Sequence, residues 1–122
     1  MVQRGRPPGE GLWALPGGKV RAGEGMRAAA ERELLEETGV SVQAGELAWE
    51  FEYIEHDAQG RLRFHYVILD FHAHYLGGTP RAGDDAAAAR WVGFAEIPTL
   101  PLHPETKRLL CSLYPERLTT LM

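Results

Sequence analysis

Between Gly18 and Val40 the chain reads GKVRAGEGMRAAAERELLEETGV, and the glutamates in this run are spaced in a way that bears on chemistry. Residues Met26 to Thr38 have helical composition, with Ala28, Ala29, Ala30, Glu31, Leu34 and Leu35 as good helix formers and Gly39 as a stop. On such a helix Glu33, Glu36 and Glu37 stand at i, i+3 and i+4, so three carboxylates share one face. They fall in the last turns, where the helix macrodipole disfavours negative charge. Like charges at this spacing cost about 0.2–0.5 kcal/mol each in an isolated helix. As scaffolding alone this is poor design. A hard divalent cation reverses the argument. Mg²⁺, with Mn²⁺ as the alternative, takes oxygen ligands and keeps water and substrate phosphate in its shell. Glu24, just before the helix, can add to that oxygen-rich set. The competing reading is a solvated acidic face, against which the dipole and the flanking glycines both argue.

The elements that must hold these carboxylates fit one domain, residues 1–122. Hydrophobic residues make up 44% and charged residues 25%, values of a globular domain and not of a disordered tail. The lone Cys111 rules out an intramolecular disulfide framework, and with five scattered histidines it argues against a zinc finger. No apolar run approaches the length of a membrane span, and MVQRGRPPGE lacks a signal-peptide core, so a cytoplasmic location is the default expectation. The net charge of −4 discourages a role with nucleic-acid polymers. Its distribution is uneven: Glu24–Glu55 holds nine acids and two bases, a net −7, whereas the rest sums to +3. A mildly basic body with one acidic segment points to a local cation.

Along the chain, Leu12–Leu15 leads into Pro16-Gly17-Gly18 after a turn-rich stretch. Leu47–Glu55 and Arg61–Ala73 read as two strands around an Asp57–Gly60 turn. Ala89–Phe94 is a short strand candidate, Ala95–Pro98 a turn or short helix, and Pro104–Leu113 a final helix with Cys111 facing the core. The class is α+β, with an antiparallel hairpin after the helix.

The segment 18–40 resembles the Nudix box, G-x5-E-x7-R-E-U-x-E-E-x-G-U with U aliphatic, and every fixed position is matched. Seven fixed residues at about 6–7% background each give roughly 10⁻⁸ per starting position. The lead-in LWALPGG and the order of hairpin and Trp91 segment extend the resemblance over most of the chain. The resemblance to Nudix hydrolases implies an α/β/α sandwich around a mixed sheet and a loop–helix–loop that holds Mg²⁺ against a diphosphate. It implies hydrolysis of a nucleoside diphosphate linked to another group, with a small-molecule nucleotide as partner and no membrane. Carried over by position, Glu36 and Glu37 are metal ligands, Glu33 is a ligand or the water-activating base, and Arg32 holds the glutamates. Glu24 and the Gly18 carbonyl complete the site. Some relatives take a base from outside the box. Here that loop is Gly83-Asp84-Asp85, with Asp85 as the candidate; turn and capping chemistry is the competing reading. Arg4, Arg6 and Lys19 are candidates for substrate phosphate, and His103 for the base. Trp13, Phe51, Tyr53 and Phe64 either stack on a base or pack the core.

Two departures from the family pattern follow. The chain begins about one strand late, with MVQRG as the second half of an opening hairpin, so an incomplete sheet or a homodimer is expected. Substrate markers are also missing: the ADP-ribose proline position falls near Glu55, the dinucleoside-polyphosphate tyrosine near Asp57, and the NADH pyrophosphatase signature is absent. The GLWALPGG lead and the Asp84-Asp85…Arg90-Trp91 segment are most similar to small bacterial members grouped with ADP-ribose pyrophosphatases. That grouping favours ADP-ribose or nucleotide sugars. The alternatives are a MutT-type nucleoside triphosphate pyrophosphatase and a non-catalytic nucleotide-binding module; intact Glu33, Glu36 and Glu37 favour an enzyme.

Overall fold

In the computed structural model, which describes residues 1–121, the glutamate-bearing helix α1 spans Met26–Thr38 as its composition predicts. Gly39 ends it at φ 75°, and its N–H donates to the Leu35 carbonyl, a left-handed cap that glycine adopts without strain. The buried Thr38 turns the chain: its hydroxyl donates to the Leu34 carbonyl at 2.7 Å and accepts from the Val40 N–H at 3.2 Å.

Beyond the cap lies an antiparallel hairpin of β3 (Ser41–His56) and β4 (Leu62–Gly77), each longer than the alternation of the sequence predicts. The register shifts between Ala44 and Leu47 and again between Leu47 and Trp49, so the period-two pattern breaks inside β3. From Trp49 to Glu55 it is regular, with Trp49 opposite Asp70, Phe51 opposite Ile68 and Tyr53 opposite Tyr66. The Asp57–Gly60 turn forms as expected. Asp57 Oδ1 accepts from the Gln59 and Arg61 N–H groups, both at 2.9 Å, and Gly60 takes φ 80°.

A second sheet runs β2-β1-β5, with β1 (Val2–Arg4) between β2 (Trp13–Ala14) and β5 (Ala86–Ala89), both antiparallel to it. A parallel bridge from Trp13 to Leu102 gives the arrangement its mixed character. The expected strand Ala89–Phe94 lies three residues too far along the chain. The register with the short β1 runs to Val2–Ala89, Met1 and Arg90 exchange main-chain hydrogen bonds just beyond it at 2.8 and 3.1 Å, and the Arg90 guanidinium lies over the Trp13 ring and on Glu96.

The hairpin is the middle layer. Ala73 and Tyr75 of β4 line a cavity with Leu34 and Thr38 of α1, whereas Ile68 and Asp70, on the other face, line one with Thr106 and Leu109 of α2 (Pro104–Leu113). The core is small. Ile97, Leu109, Leu110 and Leu118 form it, and Trp49, Phe94, Leu102 and Tyr114 pack around it. Cys111 is only half-buried, so the expectation of a core cysteine is corrected: α2 turns Leu109 and Leu110 inward and leaves Cys111 at the margin. Leu118 is wholly enclosed. Leu118→Ala is expected to cost about 2–5 kcal/mol of stability, read as a lower urea midpoint with an unchanged slope.

Candidate active site

Arg32 organises the front of α1. Its Nε and Nη2 grip both oxygens of Glu24 at 2.7 and 3.0 Å, a bidentate pair joining the loop before the helix to the helix itself. Nη1 donates to Glu33 Oε1 at 2.8 Å and to Glu36 Oε2 at 3.2 Å, and Nη2 also donates to the Lys19 carbonyl at 2.9 Å. The hydrogen bonds from Arg32, with a further one from the Arg21 N–H, hold the Glu24 carboxyl down at about 2. The Arg32 guanidinium is raised in turn, by Glu24 first and Glu33 second. Glu24 therefore spends both oxygens on Arg32 and the 21–24 turn. In this arrangement it anchors the loop to the helix.

Glu33, Glu36 and Glu37 share one face, as their spacing requires. Gly18 closes against it, since a Cβ there would overlap the Glu33 carboxyl group. Glu37 Oε2 accepts from the Gly17 N–H at 3.0 Å. Burial raises the Glu37 carboxyl, partly offset by that N–H, and the Glu33 and Asp84 carboxylates raise it further. Among the described residues no three acidic, histidine or cysteine side chains stand already gathered as a metal cage. Arg32 and Gly17 occupy one oxygen of each of the three glutamates. Glu33 Oε2 and Glu37 Oε1 accept no hydrogen bond from the described residues, and Glu36 Oε1 meets only Arg21, at 3.6 Å. An all-oxygen set with one free oxygen per glutamate, beside a glycine with no side chain, suits a hard divalent cation.

The loop after β4 reaches the same place. The Gly83 N–H donates to the Glu37 carbonyl at 2.8 Å, and a Cβ on Gly83 would overlap the Glu36 carbonyl. Asp84 follows at φ 48°, a left-handed backbone that non-glycine residues adopt only under local constraint. Its carboxylate is the one that acts on Glu37. Asp85, the residue singled out from the sequence, instead pairs with Arg6 at 3.2 Å, both side chains largely exposed. Asp84 is thus the loop carboxylate that acts on Glu37, and Asp85 makes a surface pair with Arg6. Arg4 donates to the Pro8 carbonyl at 2.6 Å, and its charge lowers Glu37.

Arg4 also lines a cleft of about 180 Å³ with Leu15, Phe51, Asp70, His103 and Glu105. His103 caps α2, its Nδ1 accepting from the Glu105 N–H at 3.3 Å. Two residues of this cleft escaped the sequence reading. Asp70 is held up by burial, and Glu105 Oε2 is buried with no hydrogen-bond partner among the described residues. The signal for Asp70 was a charge inside the apolar run VILDF, out of keeping with a buried strand. Glu105 offered no signal beyond its place in the first turn of a helix.

The NUDIX domain family matches residues 1–113. The chain belongs to the Nudix family. It is 32% identical to an ADP-ribose pyrophosphatase of Methanocaldococcus jannaschii, over 86% of this chain and 60% of that one. It is 44% identical to a Mycobacterium tuberculosis protein named "Putative 8-oxo-dGTP diphosphatase 2", over 80% of this chain and 65% of the other. The chain therefore spans a little under two thirds of these curated relatives. Among solved structures, a MutT NUDIX hydrolase from Burkholderia pseudomallei superposes with TM-score 0.72 at 32% identity, covering 89% of this chain and 82% of that one. The NUDIX domain of Shewanella oneidensis NrtR, solved with ADP ribose, gives 0.73 at 26% identity, over 96% and 75%. Among the described residues of this Nudix chain no helix is long and apolar enough to cross a membrane.

Because Glu24 titrates at about 2 in the folded chain against an ordinary 4.5, its pair with Arg32 adds stability above pH 4.5 that is lost as pH falls toward 2. Carbon-detected NMR of the Glu24 carboxyl is expected to show that low midpoint, and Arg32→Lys to move it up toward the ordinary range.

Proposed function

We propose that this Nudix chain is a Mg²⁺-dependent pyrophosphohydrolase that splits the diphosphate of a nucleoside diphosphate linked to a further group, of the ADP-ribose or nucleotide-sugar type. The observation that carries the reading is the face of α1, where Arg32 fixes one oxygen of Glu33 and of Glu36 and leaves their second oxygens toward the box loop. A non-catalytic binder has no need of three such carboxylates.

Glu36 and Glu37 are the residues that would hold the cation, with the Gly18 carbonyl and Glu33 at the margin of the same set. The chemistry a divalent cation supplies in such a site is neutralisation of phosphoryl charge and a more acidic water. In this reading Glu33 takes the proton of the attacking water on Oε2, while Arg32 holds its Oε1 and so its rotamer. Asp84, set against Glu37, closes the acidic face on the side of the 81–85 loop. Arg4 lines the cleft and its charge acts on Glu37, which supports a role on the phosphate nearest the nucleoside. The cleft takes the nucleoside. Phe51 offers a ring face, and Asp70 and Glu105 offer acceptors that a base's N–H groups can satisfy.

A second reading, a MutT-type triphosphate pyrophosphatase, draws support from the 44% identity to the protein whose name carries 8-oxo-dGTP. The deciding assay is phosphate release, after phosphatase coupling, from ADP-ribose, nucleotide sugars, dinucleotides and deoxynucleoside triphosphates with Mg²⁺. Turnover of the diphosphate-linked compounds above the triphosphates supports the first reading, the reverse order the second, and no turnover of any compound overturns both.

Glu33→Gln is expected to lower kcat about 10²–10⁴-fold with little change in unfolding midpoint. Asp84→Asn should reduce activity where Asp85→Asn does not; the opposite pattern returns the loop role to Asp85. Asp70→Leu should raise KM about tenfold with kcat retained, since it removes an acceptor for the base and leaves the reacting phosphate untouched.

A further inference from the structure

One face of the hairpin runs on from the nucleoside cleft. Side chains alternate along a strand, so Asp70, Ile68, Tyr66 and Phe64 of β4 lie on the same face, with Trp49, Phe51, Tyr53 and Glu55 of β3 opposite them. No register shift interrupts this stretch. Its inner end, Asp70, Ile68 and Phe51, lines the cleft. Its outer end is aromatic and open. Phe64 and Tyr66 are each 38% exposed and Tyr53 is 42% exposed, and none of the three belongs to the core.

The outer rings are ordered among themselves. Phe64 and Tyr66 stack with centroids 5.6 Å apart and planes 17° from parallel, and Arg63 covers the ring of Phe64 at 5.2 Å. Over Tyr66 stands Lys19, its Nζ 5.8 Å from the ring centroid. Lys19 follows Gly18 directly, its carbonyl is held by Arg32, and its ammonium has no carboxylate partner among the described residues. The residue that meets the aromatic arm is thus a residue of the box loop, one position from the glycine that faces Glu33.

We propose that Tyr66, with Phe64 behind it, is a stacking subsite for the second half of the substrate, and that this half carries an aromatic ring, as in a compound with a base at each end of its diphosphate. The inference rests on the pyrophosphohydrolase reading and widens its linked group from a bare sugar to one that carries a second base, on the strength of the open rings and not of a sequence marker. A ring laid on Tyr66 needs about the space that the Lys19 ammonium holds, and the phosphates it brings give that ammonium a stronger partner than a ring face. Lys19 moves from Tyr66 to phosphate as the ring arrives. A sugar without a ring makes the phosphate contact alone.

The test compares a two-base dinucleoside diphosphate with a nucleotide sugar that shares one nucleoside with it. The whole chain and its Phe64→Ala/Tyr66→Ala variant are used, with Tyr66→Trp as the conservative control. The double variant is expected to lose about tenfold in kcat/KM for the two-base compound, as loss of one base–aromatic stack should do, and nothing for the nucleotide sugar. Tyr66→Trp is expected to retain the two-base activity. Equal losses on both compounds, or no loss on either, overturns the subsite. Should the parent chain turn over neither compound, the pyrophosphohydrolase reading fails on its own. Calorimetric binding of a methylene-bridged two-base analogue then decides the subsite separately, with weaker binding to the double variant expected and unchanged binding fatal. Light scattering closes the remaining route: a dimeric parent that becomes monomeric in the double variant makes the rings a contact between copies and overturns the proposal.

Discussion

The site depends on the saturation of one guanidinium. Arginine has five N–H bonds in a rigid planar fork, and Arg32 spends one hydrogen bond from Nε, two from Nη1 and two from Nη2 on Glu24, Glu33, Glu36 and the Lys19 carbonyl. These partners come from the loop before the helix and from two successive turns of it. Fixing them to one planar group fixes the distance between loop and helix, which hydrophobic packing cannot do, because Leu35 and Met26 of this helix are about half exposed and only Ala29 and Thr38 are buried. A lysine offers three donors about a point and cannot span the same set.

That arrangement also accounts for the charge pattern. Glu33, Glu36 and Glu37 crowd the last turns of a helix with no basic residue there to offset the dipole. One arginine balances only part of this, and it is already committed to Glu24. Glu37, furthest from Arg32's reach, is raised by its own burial and by Glu33 and Asp84, so it has the most to gain from an added cation. The loop geometry serves the same end: Gly18 lets backbone approach the Glu33 carboxylate, Gly83 lets it approach the Glu36 and Glu37 carbonyls at the helix end, and a side chain at either would collide.

Local signals carried the parts of this structure that are local. Helix α1 lies where alanines, leucines and Gly39 place it, because propensity and a left-handed stop act within a few residues. Glu33, Glu36 and Glu37 share a face because helical spacing dictates it. The β3 strand extends further than its sequence pattern shows because the shifts at Ala44–Leu47 and Leu47–Trp49 break the alternation that marks a strand. The β5 strand was misplaced because its limits follow from pairing with β1, some 80 residues away in sequence. The choice between Asp84 and Asp85 was beyond the sequence for a related reason. Adjacent residues point apart, and which one meets Glu37 depends on the docking of Gly83 on the helix end. Asp70 and Glu105 converge only when the hairpin and α2 close on each other.

The regular stretch of β3 and β4 therefore does more than support the helix. With side chains alternating faces, a slip of one residue would carry Asp70 and Ile68 out of the cleft and turn Tyr66 and Phe64 away from Lys19 in the same movement. The cleft, the box loop and the aromatic arm are thus tied to a single register. The register shifts fall before Trp49 and after Glu55 and leave Trp49–Glu55 undisturbed, so the irregularity the strand must absorb to follow the helix is kept out of the segment whose facing matters. The spacing between box loop and rings along that face is fixed at both ends, because the Lys19 carbonyl is pinned by Arg32 and the rings are pinned by the pairing of Tyr53 with Tyr66.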